Sequence, residues 1–289
     1  MVEISIVIRC KNEEKLIGQT LEKVFGQNTD IPFEVIVIDS GSTDQTLAII
    51  GAYNRVRLYC IPPESFSFGY ALNYGIEKAK GTIICNLSAH CVPVNDRWLT
   101  ELTDPIVQTN VHATFGRQVA IKGVNRWEEL SLDECFPDHS EIKGRVPFSN
   151  ANCAFLKNMW LERQFDEEVS SWEDYLWYYL MKDKYTFKYC PNGAVFHSHP
   201  FSIKSISRRS FFDGKAITFI NNKYGVDFLF CEHPTFRTKA RIFFQDVKHN
   251  VKLFTKAGYA QYIFWIPFVR FFSYKAFWNG YESIRNVRR

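Results

Sequence analysis

The run Phe33-Glu34-Val35-Ile36-Val37-Ile38-Asp39-Ser40-Gly41-Ser42-Thr43-Asp44 constrains the fold of this chain more than any other stretch. Val35 to Ile38 is an apolar run too short for a helix, and it suits a parallel strand covered on both faces. Gly41 tolerates the positive φ of a tight turn, and Ser42 or Thr43 is expected to cap a helix starting near Asp44. Asp39 is then delivered to the carboxyl end of a strand, where open α/β sheets bind ligands. An ionised carboxylate at that place accepts hydrogen bonds only, for example from the N3–H of a uracil- or thymine-type base. A plain β–α turn with an incidental aspartate fits the same residues.

The flanking sequence alternates in the same way. Ile4 to Cys10 reads as a first strand, and Lys11-Asn12-Glu13-Glu14 leads into a helix running towards Gln27. A helix near Asp44 to Tyr53 is followed by a third strand, Val56 to Ile61, and a loop at Pro62-Pro63. A further helix spans about Gly69 to Ala79, and a fourth strand Thr82 to Leu87. Strands alternating with helices of this length imply right-handed crossovers and a mostly parallel sheet.

On these elements sit short motifs: Arg9-Cys10-Lys11-Asn12-Glu13, Asp39 to Asp44, Phe66-Ser67-Phe68-Gly69 to Asn73, and Gly116-Arg117-Gln118. Phe148-Ser149-Asn150-Ala151-Asn152, Trp172-Glu173-Asp174, and His197-Ser198-His199 leading to Phe212-Asp213-Gly214 follow in order. With them the chain resembles a family 2 glycosyltransferase of the GT-A fold, and within that family the bacterial rhamnosyltransferase-type enzymes, over roughly residues 4 to 215. The resemblance implies an α/β, GT-A (Rossmann-like) domain with a mixed, mostly parallel sheet flanked by helices. Residues 1–95 would be its nucleotide-sugar-binding half and 96–215 its acceptor and catalytic half, with a C-terminal helical, aromatic and basic appendage over 216–289. It also implies an inverting enzyme of surface polysaccharide biosynthesis. Such an enzyme moves a sugar from a UDP- or dTDP-sugar to a hydroxyl of a saccharide or lipid-linked saccharide. The rhamnosyltransferase-type pattern has His and Arg where Phe68 and Leu72 stand here, which removes two polar contacts.

Transfer from a nucleoside diphosphate sugar needs the leaving diphosphate neutralised, the acceptor hydroxyl deprotonated, and the two held in line. Family members use an Asp-x-Asp type metal motif after the fourth strand, but here Ser88-Ala89-His90 occupies that place. Imidazole ligates Mn²⁺ and other transition ions and suits Mg²⁺ poorly. His197 and His199 share one face if their segment is extended, and the resemblance puts His197 near the diphosphate. Three readings follow: His90 with His197 or His199 and the diphosphate oxygens hold a divalent metal such as Mn²⁺, imidazoles contact the diphosphate directly, or neither holds and His90 is a strand-end histidine bonded to a backbone carbonyl. Arg208, Arg209 and Lys215 could add fixed positive charge.

The resemblance makes Asp174 the general base, with Glu173 binding acceptor or holding Asp174. Ser170-x-x-Glu173 and Ser171-x-x-Asp174 equally read as capping boxes, with Trp172, Tyr175, Leu176, Tyr179 and Leu180 as the buried stripe of that helix. Arg9, Asn12, Glu13, Asp39, Ser40, Ser88, Arg117, Asn152 and Arg209 are the expected donor contacts, with Asn150 beside them. A catalytically inactive sugar-nucleotide-binding scaffold is the rival reading. The missing acidic pair after the fourth strand favours it, and the intact Glu173-Asp174 opposes it.

The bulk of the chain is compatible with either. At 289 residues and 46% hydrophobic content it can bury a large core. Eight scattered cysteines without a C-x-x-C pair point to reduced thiols. No signal pattern precedes the first strand, so a cytoplasmic location is expected. From Arg237 to Arg289, eleven Lys/Arg stand against Asp246 and Glu282, interleaved with aromatics from Tyr259 to Tyr281. A helix pair packing those rings, or peripheral contact with the cytoplasmic face of the inner membrane, are the two readings. No nucleic-acid partner is expected, and Gln261, Pro267, Arg270 and Lys275 interrupt any membrane-spanning run.

Overall fold

The structure is a computed structural model and describes residues 3–142, 148–199, 201–226 and 235–285. It comprises two compact units, Met1–Glu168 with Glu173–His199, and Val169–Trp172 with Pro200–Arg289.

The first unit opens with β1 (Ile4–Cys10), α1 (Ile17–Phe25), β2 (Phe33–Asp39), α2 (Thr46–Gly51), β3 (Val56–Cys60), α3 (Phe68–Lys78) and β4 (Ile83–Ser88). These elements stand within a few residues of the expected ones. It continues with β5 (Val92–Pro93), α4 (Trp98–Gln108), β6 (Ala113–Val119), α5 (Arg126–Cys135), β7 (Asn152–Leu156), α6 (Lys157–Glu162), α7 (Glu173–Met181) and β8 (Phe187–Phe196).

All eight strands form one sheet in the order β3-β2-β1-β4-β7-β6-β8-β5. β1 to β4 are parallel, β7 runs antiparallel between β4 and β6, and β8 runs parallel to β6. Strand alternation sorts the apolar residues to two faces. Ile4, Ile6, Ile8, Val35 and Val37 pack with Leu21 and Trp98 on one side, and Val7, Ile36 and Ile38 pack with Ile76 and Trp177 on the other. This two-sided burial is why β2 reads as a continuous apolar run.

The pairing registers have a consequence for function. Cys10 pairs with Asp39, Arg9 with Ser88, Leu87 with Asn152, Phe115 with Cys153, and Val119 with Phe196. The carboxyl ends of β1, β2, β4, β6 and β8 and the amino end of β7 therefore lie at one end of the sheet.

Two local expectations are corrected. Neither Ser42 nor Thr43 caps α2, whose N-cap is Gln45 without a side-chain bond. Ser42 instead donates to Asp39 (2.5 Å) and accepts from the Asn12 N–H (2.8 Å), and the Thr43 N–H donates to Asn12 (2.7 Å). The loop after β2 is thus spent on bracing the loop after β1. In α7 the buried residues are Glu173, Leu176, Trp177 and Met181, not the stripe through Tyr175, Tyr179 and Leu180. The helix is rotated because Trp177 and Met181 fill the core beneath β7, and that rotation carries Glu173 inward.

The second unit holds α8 (Ile203–Tyr224), α9 (Phe236–Lys256) and α10 (Ile266–Arg285). α8 and α10 approach at Gly214 and Gly280, where a Cβ would collide with the carbonyls of Phe277 and Phe211. Thr218 donates to Tyr281 O (3.0 Å), and the Ser210 and Ser273 hydroxyls meet at 2.7 Å. α10 turns Ile266, Val269, Trp278 and Tyr281 inward. No helix among the described residues is long and apolar enough to cross a membrane.

Candidate active site

Three histidines meet at the shared end of the sheet. His90 follows β4, and His197 and His199 follow β8, where the extended backbone puts both rings on one side. One ligand atom from each lies within 4.8 Å of the others. Each ring is held by its Nδ1: His90 by Glu13 Oε1 (2.7 Å), His197 by Gln118 Oε1 (2.5 Å) and His199 by Glu128 Oε1 (2.7 Å). Glu13, Gln118 and Glu128 can each accept from Nδ1, and a ring held in that tautomer has Nε2 as its ligand atom. The Nε2 atoms of His90 and His197 stand 3.2 Å apart. Three imidazoles oriented by oxygen partners form a donor set suited to a transition ion.

A carboxylate pair lies at the same end. Asp174 accepts from the backbone N–H of Asn150 (3.2 Å) and of Tyr175 (2.7 Å). Asn150, buried just ahead of β7, also points its amide at Glu173 (3.5 Å) and accepts from Asn86 (3.1 Å). Arg9 comes within 4.0 Å of Glu173 and lies over the ring of Phe68, 4.6 Å from its centroid. Its Nε and Nη1 are buried without a hydrogen-bond partner among the described residues. Burial, then the charge of Asp174, pushes the Glu173 carboxyl from its ordinary 4.5 up to about 7, against the pull of Arg9. Burial also raises Asp174, against the two backbone N–H groups.

Raised carboxyls carry a stability signature. The folded state holds the Glu173 proton where the unfolded chain has released it, so between about pH 4.5 and 7 the folded state binds more protons. Stability should therefore fall as pH rises through that window. Glu173→Gln should flatten the fall, read as melting temperature at pH 5 and pH 8 for both proteins. Parallel profiles would mean that Glu173 is not the group responsible.

The loop after β2 lies at this same end of the sheet. Asp39 accepts from the Gly41 N–H (2.8 Å), the Ser42 N–H (2.9 Å) and the Ser42 hydroxyl (2.5 Å), and is 1% exposed. Gly41 takes φ +88°, as the turn requires. Asn12, itself at φ +53°, locks this loop to the one after β1.

The family comparison takes in His90 and the loops after β1 and β2, and ends before Glu173, Asp174, His197 and His199. The model of glycosyl transferase family 2 matches residues 5–170, over half of the chain. The chain belongs to glycosyl transferase family 2. Among curated relatives of this family 2 glycosyltransferase, the O-antigen chain rhamnosyltransferase RfbN of Salmonella typhimurium is 23% identical over 226 residues, covering 74% of this chain and 72% of RfbN. The poly(ribitol-phosphate) beta-N-acetylglucosaminyltransferase TarS of Staphylococcus aureus is 28% identical over 189 residues, 61% of this chain and 32% of TarS. This chain thus matches only about a third of that relative's length. TarS residues 1–349 in complex with UDP-GlcNAc superpose with a TM-score of 0.54 at 15% identity, covering 98% of this chain and 92% of that one. The mannosyltransferase PcManGT of Pyrobaculum calidifontis, in complex with GDP-Man and Mn²⁺, gives 0.56 at 17% identity, covering 95% and 73%. These likenesses show the GT-A fold.

The other expected site residues of this glycosyltransferase are placed as follows. Ser40 is buried and donates to Cys10 O (3.3 Å), and Ser88 is buried with its N–H on Ala151 O (3.1 Å). Asn152 is wholly buried, donating to Arg117 O (3.1 Å) and Gly193 O (2.8 Å) and accepting from Trp98 (2.8 Å). That corrects its expected donor contact, because its amide is built into the sheet at the irregularity between Gly116 and Gln118. Arg117 donates to Phe136 O (3.2 Å) and lies 3.6 Å from Asp133. Arg209 is exposed on α8 in the second unit. Ser171 and Trp172 hydrogen-bond Asp213 (3.2 and 2.9 Å). Asn73 accepts from Trp160 and Phe165, so its motif anchors a loop.

Gln118 and Glu128, which hold two of the histidines, were missed as individual residues. Gln118 lay inside a matched motif, while Glu128 carries no local signal. The buried cysteines Cys10, Cys85, Cys91, Cys153 and Cys190 are free thiols.

Proposed function

We propose that this chain is an inverting glycosyltransferase of surface polysaccharide biosynthesis, moving a hexosyl or deoxyhexosyl group from a UDP- or dTDP-sugar to a hydroxyl of a saccharide or lipid-linked saccharide. One observation carries the reading: a carboxylate pair, Glu173 buried and Asp174 half-buried, and three converging imidazoles share one end of one sheet. The named relatives, an O-antigen rhamnosyltransferase and a transferase complexed with UDP-GlcNAc, support it.

Asp174 is the general base. The N–H groups of Asn150 and Tyr175 aim its carboxylate and favour the ionised form. The acceptor oxygen bonds to the anomeric carbon as the bond from that carbon to the diphosphate oxygen breaks, and the hydroxyl proton ends on Asp174. Attack from the face opposite the leaving group inverts the configuration. Glu173 positions Asp174 or the acceptor, and Arg9, whose Nε and Nη1 make no hydrogen bond among the described residues, offers its guanidinium to the donor. Asp39 stands at the nucleoside end, with a lone pair beyond those used by Ser42 and Gly41 for the N–H of a base.

His90, His197 and His199 fit a divalent transition ion, with Mn²⁺ the proposed one. When bound, such an ion supplies charge neutralisation for the departing diphosphate. Glu13, Gln118 and Glu128 hold the three rings in the tautomer that this role requires. The acceptor chemistry places the reaction at the cytoplasmic face of the inner membrane.

Calorimetric titration of UDP, dTDP, GDP and CDP, each with and without Mn²⁺, tests the reading. One pyrimidine diphosphate should bind at least about tenfold more tightly with Mn²⁺, by the charge it adds to the site. Absence of binding by all four would overturn the transferase reading. Binding without turnover over a panel of acceptors would favour the scaffold.

A further inference from the structure

Rings that fold inward need no explanation, but the turn leading into α10 and the first turns of that helix do the opposite. Phe264, Trp265, Phe268 and Phe271 are 85%, 54%, 46% and 52% exposed. They are also contiguous. Ring centroids lie 6.0 Å apart between Phe264 and Trp265, 6.1 Å between Trp265 and Phe268, 4.8 Å between Phe268 and Phe272, and 5.7 Å between Phe272 and Phe271. A continuous aromatic ridge in water marks a surface that meets an apolar phase.

Charge says which phase. α9 presents Arg237, Arg241, Lys248, Lys252 and Lys256 at exposed positions three to seven residues apart, which is one helical face. The two carboxylates of the region are engaged elsewhere, Asp246 by Arg270 and Glu282 by Lys239. The ridge and the basic residues of α9 are both exposed in the second unit, and exposed aromatic rings together with exposed basic residues are what an anionic bilayer surface attracts. A helix lying in that interface needs no spanning length, in keeping with the absence of any spanning helix among the described residues.

We propose that the aromatic ridge from Phe264 to Phe272 and the basic face of α9 dock the second unit on an anionic lipid bilayer. A lipid-linked acceptor, as proposed above, would call for such a surface, yet lipid binding is measured with no transfer at all.

The test is co-sedimentation of the full chain with vesicles of phosphatidylcholine containing a quarter phosphatidylglycerol, and with pure phosphatidylcholine. The wild type should pellet with the anionic vesicles, bind the neutral ones at least about tenfold less, and lose binding in high salt as screening predicts. Phe268→Ser with Phe271→Ser, and separately Lys248→Glu with Lys252→Glu, should each weaken anionic binding at least about tenfold at unchanged melting temperature. The exposed positions make both variants tolerant of substitution, and UDP titration of each checks that the first unit is intact. Wild-type protein left in the supernatant would overturn the proposal, as would variants that bind like the wild type. A wild type that ignores vesicles but elutes as a dimer, with the Phe variant monomeric, would also overturn it and reassign the ridge to self-association.

Discussion

Asp174→Asn should lower kcat by between about 100-fold and 10,000-fold while leaving UDP affinity within a few-fold of wild type. The side chain keeps its shape and its Oδ atom can still accept from Asn150 or Tyr175, but it can no longer take a proton. Donor binding should survive because the groups proposed to hold the nucleotide and diphosphate lie on other strand ends. Glu173→Gln should cost less, since that carboxyl positions its neighbour. The pH profile separates the two roles. Both carboxyls are raised, so wild-type kcat should climb with pH as the pair ionises, with apparent values belonging to the pair. Glu173→Gln removes one like charge and should shift that climb to lower pH. Near-wild-type turnover by Asp174→Asn, with donor bound, would exclude it as the base.

His90→Ala should lower Mn²⁺ affinity by more than the 10- to 100-fold typical of losing an outer hydrogen bond to a metal ligand. It deletes one of three donors and leaves Glu13 Oε1 without its imidazole partner. Glu13→Gln should fall within that 10- to 100-fold range, because an amide can offer a donor to Nδ1 and release the tautomer. With all three nitrogens intact, Mn²⁺ should support UDP binding far better than Mg²⁺, whose preference is for oxygen. Isothermal titration of Mn²⁺ and then UDP into each protein reads both effects. Equal UDP affinity with and without Mn²⁺, together with loss of UDP binding in His90→Ala, would mean that the imidazoles contact the diphosphate directly.

Much of the first unit was legible because its signals are local. Four strands and three helices up to residue 88 follow from apolar runs, glycines and prolines whose meaning does not depend on distant residues. The GT-A fold and the family followed from these elements together with motifs that run on to Gly214. The places where reading failed share one cause. Ser42 looked like a helix cap, but Asn12, thirty residues earlier, claims it. Asn152 looked like a sugar contact, but Trp98 and Gly193 take its amide inside the sheet. The stripe of α7 was misread by one position because the core beneath β7 decides which rings are buried.

The sequence by itself determined the alternation of strands and helices, the acid at the end of β2, the Glu173-Asp174 pair and the replacement of an expected carboxylate by His90. These depend on residue type and near spacing. Tertiary structure alone decided that Glu13, Gln118 and Glu128 each pin one histidine, across separations of 77, 79 and 71 residues. It alone set Glu173 inside beside Arg9 and raised its proton affinity. Tautomer and proton affinity are properties of the surroundings of a side chain, and those surroundings exist only once β1, β4, β6, β7 and β8 bring their ends together.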